Sequence, residues 1–348
     1  MSSDPVKSAP RPIRVLQAGY GAFGAQHAKG WRGCRPAVEL AIADPSPEAR
    51  ARATADHPGL RIVADWRELL ADCDVVDAVA PSTLNASIAL EAMAAGRDVF
   101  IEKPVGRTIA EARDVAAAAT RLGRRMQVGF VLRFHPLARR LHEVLRGGSL
   151  GRLRWISGEF LCLKRPRRDA GVVLNDAVHF LDLILWLKGE APASVQAMME
   201  DGLGRGFEDL VLSTLRWGDG TLGRLDASCV VAGEAPDPYA PPGGWSRKTL
   251  EFAGERGRAI ADFMSGTLTL RDARHERDGD GWRQVVAAPA TSTYPSESIT
   301  PLITAELSAF VAGAPGGATI ADGLLIAEVC EAMFRSARER RAIEVSGP

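Results

Sequence analysis

The sequence predicts an α/β chain in two parts: a doubly wound parallel sheet, then an α+β region with a large, mostly antiparallel open sheet. Three observations carry that expectation. Short apolar runs alternate with helical segments from residue 13 to about 130. A glycine-rich turn joins the first run directly to the first helix. Beyond 130 the helices thin out and strand-like runs accumulate, joined by hairpin signals.

The runs of the first part are 13–18, 38–43, 60–64, 74–80, 98–102 and 125–130. Apolar strands alternating with helices imply a parallel sheet covered on both faces. The alanine-rich helices 83–95 and 108–122 are each closed by a glycine, Gly96 and Gly123. Thr108 and Glu111 read as a capping box opening the second of these. In the second part, Pro136 opens a helix over 136–146. Strands are expected at 152–163, 193–200, 207–217, 221–232, 248–253, 257–263 and 266–271. Hairpin turns are expected at Gly218-Asp219-Gly220 and Gly254-Glu255-Arg256-Gly257, loops at 233–247 and 288–298, and helices at 299–313 and 320–338. The divisions expected are a frayed tail (1–11), a dinucleotide-binding domain (12–130) and a second domain (131–348) whose last helices can return to the first.

The turn Gly19-Tyr20-Gly21-Ala22-Phe23-Gly24 leads into helix-compatible residues 23–32 and defines the first site. Gly19 allows a tight turn, Gly21 lets the backbone approach a pyrophosphate, and Gly24 lets helix and strand touch. A helix N-terminus adds free N–H groups and a positive dipole end. Asp44 ends the next apolar run, 20 residues beyond Gly24, where a carboxylate accepts the adenosine ribose hydroxyls. The alternative for Asp44-Pro45 is a plain strand-ending turn. A carboxylate there repels a 2′-phosphate and Pro45-Ser46-Pro47 brings no arginine, so NAD is expected over NADP.

The chain has 43 basic and 43 acidic residues, so no global field draws it to nucleic acid or an anionic membrane. Its five cysteines are scattered without a C-x-x-C pair, which suits a reducing cytoplasm and argues against structural zinc. No apolar run reaches spanning length, and the polar, proline-rich start lacks a signal-peptide core.

Two segments can carry chemistry. The run DVFIEK ends in Glu102-Lys103-Pro104, which puts Lys103 at the carboxyl edge of a parallel strand, where the ligand lies. Pro104 fixes the backbone there and admits a cis bond. The alternative is a solvated strand-end lysine. The second segment runs from Val172 to Gly189. On a helix, Phe180, Leu183, Ile184 and Leu187 share an inward face, whereas Asn175, His179, Asp182 and Trp186 form a separate stripe toward a cleft. A packing histidine held by Asp176 or Asp182 is the alternative to a catalytic His179. No H-x-x-x-H or similar cluster supports a metal. Upstream, Lys164-Arg165-Pro166-Arg167-Arg168 is either a solvated loop or a clamp for a substrate carboxylate or phosphate. Arg133 is a further substrate candidate near the domain junction.

With GYGAFG at 19–24, EKP at 102–104, VGFVLRFHP at 128–136 and NDAVHFLD at 175–182, nearly the whole chain resembles the glucose–fructose oxidoreductase/inositol dehydrogenase/MocA (Gfo/Idh/MocA) family. The resemblance implies a Rossmann domain, a nicotinamide cofactor, and hydride transfer to or from a secondary alcohol of a sugar, sugar derivative or cyclitol. It puts Lys103 and His179 in the substrate site, His179 as the base and Lys103 stabilising the substrate oxygen, with the reverse assignment as the competitor. Asn175 and Asp176 complete the catalytic set. Many relatives carry aspartate where this chain has Asn175, and histidine where it has Asn85. Ala80, Pro81, Ser82, Asn85, Glu102, Lys103 and Pro104 join the glycine turn on the cofactor side. A dimer or tetramer is implied, pairing through open sheet faces such as Leu153, Trp155 and Leu161, or Leu210, Leu212 and Leu215. The rivals are an NAD-dependent glycosidase with transient redox and a non-catalytic NAD-binding regulator.

Overall fold

The structure is a computed structural model that describes residues 11–239, 244–294 and 298–345. Of the expected tail, residues 1–10 lie outside the described residues. Arg11 belongs to the fold, because its guanidinium donates to both Asp74 carboxylate oxygens at 2.7 and 2.8 Å.

The first sheet contains β1 (Ile13–Ala18), β2 (Val38–Ala43), β3 (Arg61–Val63), β4 (Val75–Ala78), β5 (Asp98–Glu102) and β6 (Met126–Gly129). All neighbours are parallel, in the order β3-β2-β1-β4-β5-β6. The chain order reverses between β1 and β4, which opens a crevice at the carboxyl ends of those strands. Helices α1 (Ala22–Gly33), α2 (Pro47–Asp56), α3 (Ser82–Ala94) and α4 (Ile109–Leu122) complete the winding. The Thr108 side chain caps α4 by accepting from Glu111 N. Glu111 reaches one residue further back than a capping box requires, to Arg107 N, so only half of the expected box forms.

The second part begins with α5 (Pro136–Arg146), β7 (Leu153–Leu163) and a π turn, Val173–Ala177, leading into α6 (Val178–Lys188). Then come β8 (Ser194–Glu200), β9 (Leu210–Arg216), β10 (Leu222–Ser228), β11 (Ala235–Pro236), β12 (Trp245–Gly254), β13 (Gly257–Asp262), β14 (Thr267–Asp278), β15 (Gly281–Val286) and β16 (Ala290–Thr293). The chain closes with α7 (Thr300–Ala312), α8 (Ile320–Glu339) and β17 (Ile343–Glu344). These strands form one sheet in the order β15-β14-β13-β12-β7-β10-β9-β8-β17, with β11 beside β12 and β16 beside β14. β7 and β10 run parallel and the other pairs antiparallel.

The segments expected to be loops, 233–247 and 288–298, hold β11, the start of β12 and β16, apart from residues 240–243 and 295–297, which lie outside the described residues. β14 continues past 271 because its charged half, Arg271–Asp278, pairs with β15 as an arm wet on both faces. Such an arm has no apolar alternation to betray it. Leu215 does not share a face with Leu210 and Leu212: it is 1% exposed beneath the sheet, while Leu212 is 40% exposed above it. Strand parity requires that split.

The last helices return to the first domain. α7 lies on α1, where Gly30 comes so close that an added Cβ would stand 2.8 Å from Ile303. Val128 N in β6 donates to Ala318 O at 2.9 Å. The first sheet is thereby clamped to the second part, with the crevice between them.

Candidate active site

The glycine turn has the shape its sequence implies. Gly19 takes φ +117°, and a Cβ there would lie 2.7 Å from Val79 O. A Cβ on Gly24 would lie 2.4 Å from Gly19 O. Gly21 caps α1 and has nothing within 4 Å of where its Cβ would be, so an approach to the helix N-terminus is left open. No acidic residue occupies the first turn of α1. Asp44 is fixed beside this cradle by Tyr20 N, donating to Oδ2 at 2.7 Å, and Ser46 N, donating to Oδ1 at 2.8 Å. The residues present therefore fit a dinucleotide: an open, positively poled phosphate seat with a rigid carboxylate beside it.

Other cofactor candidates are engaged partly in the fold itself. The Tyr20 ring is buried, and its hydroxyl donates to Asp56 Oδ2 at 2.7 Å. Ala22 is exposed in the first turn of α1 and Phe23 half-buried, leaning on His27 at 5.1 Å. Asn85 is a clip, accepting from Ala80 N at 3.1 Å and donating to Glu102 O at 3.5 Å. Ser82, following Pro81 at the start of α3, reaches across to Asp169 in the second part at 3.4 Å. A cation does stand near Asp44: Arg50 Nη1 donates at 2.9 Å to the carbonyls of Asp44 and Pro45. It comes from α2, six residues on, so the neighbours of Asp44 in sequence did not reveal it.

Glu102 is buried behind the edge, with its Oε1 3.2 Å from His27 Nε2. The other ring nitrogen of His27 lies 3.0 Å from Asp77 Oδ2, which also accepts from Trp31 Nε1 at 2.7 Å. Burial opposes a charge on His27, but Asp77 and Glu102 outweigh it and push the ring up to about 10.

Lys103 precedes a cis bond to Pro104, and its ammonium donates to Asn175 O at 2.7 Å. This bond joins the two halves of the chain. Burial pulls the Lys103 amine down to about 8, helped by Arg167 and Lys164 and opposed by Glu102 and Asp176. The π turn delivers Asn175 and Asp176, and π bulges recur at functional sites for such local re-aiming. Asp176 is 3% exposed; it accepts from Lys164 Nζ, and from Asn175 Nδ2 at 3.0 Å.

His179 sits one turn further on, nearly parallel to the Phe160 ring at 6.0 Å. Its Nδ1 is buried and has no hydrogen-bond partner among the described residues. Burial first, and then Lys103, Lys248 and Lys164, hold the imidazole well below its usual range. His179 is therefore neutral and faces three ammonium groups. Lys248, which sequence reasoning missed, pairs with buried Asp237 at 2.6 Å and lies over the Phe160 ring at 4.6 Å. The parity of β12 could have found it: Lys248 shares the inward face with Leu250 and Phe252.

The helix stripe divides. Asn175 and His179 face the site, whereas Asp182 is fully buried against Arg133 at 2.6–3.0 Å. Trp186 stacks on His142 at 4.3 Å. Arg133, 4% exposed, also reaches Asp322 at 3.3 Å. Its fork is thus spent on buried carboxylates, in an ion pair that joins α6 and α8. Arg165 and Arg168 are exposed on the loop beside Lys164. No group of three or more metal-ligating side chains occurs among the described residues.

The family profile described as "Oxidoreductase family, NAD-binding Rossmann fold" matches residues 13–130, and the "GFO/IDH/MocA C-terminal domain" matches residues 138–260. An inositol 2-dehydrogenase 2 of Paenarthrobacter aurescens is 30% identical over 234 residues, which cover 62% of this chain and 68% of that protein. An inositol 2-dehydrogenase of Rubrobacter xylanophilus is 27% identical over 350 residues, covering 97% of this chain and 95% of its own. Among solved structures, a levoglucosan dehydrogenase in complex with NADH and levoglucosan has the same fold, with TM-score 0.80 and 22% identity over 96% of this chain and 100% of that one. From the phosphate cradle and Asp44 to the lysine edge and the histidine helix, the chain belongs to the Gfo/Idh/MocA family of NAD-binding oxidoreductases.

Proposed function

We propose that this chain is a dehydrogenase acting on a secondary alcohol of a sugar or cyclitol, with NAD as its hydride acceptor and Lys103 as its proton acceptor. The observation that carries this reading is the bond between the Lys103 amine and Asn175 O, which brings the cofactor edge to the helix bearing His179. The names of the relatives, inositol 2-dehydrogenases, and the levoglucosan complex of the fold neighbour support the substrate class.

Gly19, Gly21, Gly24 and the N-terminus of α1 would hold the pyrophosphate, and Asp44 the adenosine ribose. Asp44 supports NAD over NADP, since its carboxylate repels a 2′-phosphate. When bound, NAD accepts hydride from the alcohol carbon. The chain itself must take the hydroxyl proton and bind the oxygen as charge develops. A general base works best when its pKa lies near the working pH. Lys103, held at about 8, meets that condition; His179, held far lower, is a poor resting place for a proton. This favours the competing assignment over His179 as base. Neutral His179 then orients the hydroxyl, and Lys164 and Lys248 supply positive potential for the developing alkoxide. Asp176 tethers Lys164, and the Phe160 ring shields the imidazole from water.

The test is a screen of cyclitols, anhydro sugars, free sugars and sugar derivatives with NAD and NADP in parallel. Sustained NADH accumulation on an alcohol of this class supports the reading. Bond cleavage without net NADH would instead identify the glycosidase-type rival.

A further inference from the structure

The loop Lys164–Arg168 is not simply solvated. Arg165, Pro166, Arg167 and Arg168 line a cavity of about 380 Å³ together with Arg205 and Phe207. Small-molecule sites run from roughly 300 to 1,000 Å³. Two of the four arginines are neutralised. Arg167 forks onto Asp169 at 2.7 and 2.8 Å, and Arg205 Nε donates to Asp209 at 2.9 Å. Two further carboxylates near Arg205 are engaged by backbone amides: Asp201 accepts from Arg205 N and Gly206 N at 2.8 and 2.7 Å, and Glu208 accepts from Val173 N at 2.9 Å. Arg165 and Arg168 have no carboxylate partner among the described residues, so their two guanidinium groups are free to take a ligand anion.

The loop that lines the cavity also reaches the reaction site at both its ends. Lys164 at one end of the loop is tied to Asp176, beside the carbonyl that receives Lys103. Asp169 at the other end meets Ser82 at the mouth of the cofactor crevice. Pro166 and Phe207 give the same cavity an apolar wall.

Resting on the dehydrogenase reading, we infer that the natural substrate is phosphorylated: its phosphate or diphosphate group binds Arg165 and Arg168, while its reacting hydroxyl lies at Lys103 and His179. Planar guanidinium forks match phosphate oxygens bidentately, and two free positive charges balance a dianion better than a single carboxylate. A sugar phosphate and a nucleoside-diphosphate sugar share this chemistry. The apolar wall gives either ligand a face to lie on.

The experiment titrates the full chain calorimetrically, with and without NADH, using glucose 6-phosphate, UDP-glucose, glucuronate and glucose. It is repeated with Arg165→Ala/Arg168→Ala, and with Arg283→Ala as a charge-loss control on the far arm. At least one phosphorylated probe should bind tenfold or more tighter than glucose and glucuronate. That advantage should vanish in the double variant and persist in the control. The preferred probe distinguishes the two phosphate sources. Equal affinities for charged and neutral probes, glucuronate matching the phosphorylated probes, or an unchanged double variant would overturn the inference. So would a loss falling on NADH, which would make this a cofactor site. The NADH titration of the native chain tests the dehydrogenase reading separately, because probe binding is read whether or not NADH binds.

Discussion

Asp44 and His27 illustrate two uses of a buried or half-buried charge in this chain. The Asp44 carboxylate is held by two backbone amides, so on the proposed reading it would meet a ribose diol already oriented. Asp44→Asn should weaken NAD binding by about 1.5–3 kcal/mol, the usual loss for a hydrogen bond to a charged group. The same change lets Arg50 act on a 2′-phosphate, so the NAD/NADP preference should narrow; parallel KM measurements check both. His27 instead serves the fold. Its folded-state pKa, about 10, lies above the ordinary value near 6.5. Its ion pairs therefore contribute fully below about 6.5 and fade as pH rises toward 10. His27→Phe removes the cation between Asp77 and Glu102, leaving Asp77 only the Trp31 indole N–H, and should cost roughly 3–5 kcal/mol at acid to neutral pH. Chemical denaturation at several pH values should find that deficit shrinking as the medium turns alkaline. Asp77 already stands out in sequence as a lone charge inside the apolar run VVDAV. Its partners do not, because His27 and Trp31 come from a different element.

Among the elements, α1 shows how two demands fall on one helix. Its N-terminus is left open, as the proposed phosphate seat requires, and its C-terminal half accepts α7 at Gly30. Gly30→Leu should cost about 1–3 kcal/mol by overpacking against Ile303 and Leu307, visible as a lower thermal midpoint. The strand–glycine–helix unit was legible because its geometry is local, set by backbone freedom and a fixed offset to Asp44. Helix α6 was only half legible. Its inward face, Phe180, Leu183, Ile184 and Leu187, is buried as the spacing implies. The polar stripe divided because α5 and α8 cover its C-terminal end, which periodicity on one helix cannot reveal. Lys103 was found by its strand-end position, and its meeting with Asn175 and His179 only through resemblance to a family. Lys248 was missed because a charge on a strand reads as solvent-facing unless its parity is followed, and Asp237 because it follows β11 in a segment read as a loop.

Across the whole molecule, the second sheet has helices on one face only among the described residues. Met198, Leu212, Leu222, Trp155 and Leu163 remain exposed on the other, interleaved with the Arg224–Glu159 ion pair. Leu222 stands directly opposite Trp155 and Met198 opposite Leu212, so the apolar groups are contiguous across strands. Monomeric proteins seldom leave such a surface bare. Light scattering should give the mass of a dimer or tetramer, and Leu222→Glu/Met198→Glu should lower it to that of one chain without unfolding. The fold class was legible at this scale, because strand–helix alternation and hairpin spacing distinguish the two sheets. The charged β14–β15 arm was not, since it has no buried face to impose a pattern.

On the proposed reading two side chains divide the proton chemistry between them, Lys103 taking the proton and His179 orienting the alcohol. The pH dependence of kcat/KM for alcohol oxidation tests that division directly, in native, Lys103→Met and His179→Gln enzymes with the best substrate from the screen. Oxidation by the native enzyme should rise through an apparent pKa near 8 as the Lys103 amine loses its proton. Lys103→Met should lose that limb along with about 10²–10⁴-fold of the rate, whereas His179→Gln should be slower with the limb retained. A limb near 8 that survives in Lys103→Met, or disappears in His179→Gln, would contradict these roles.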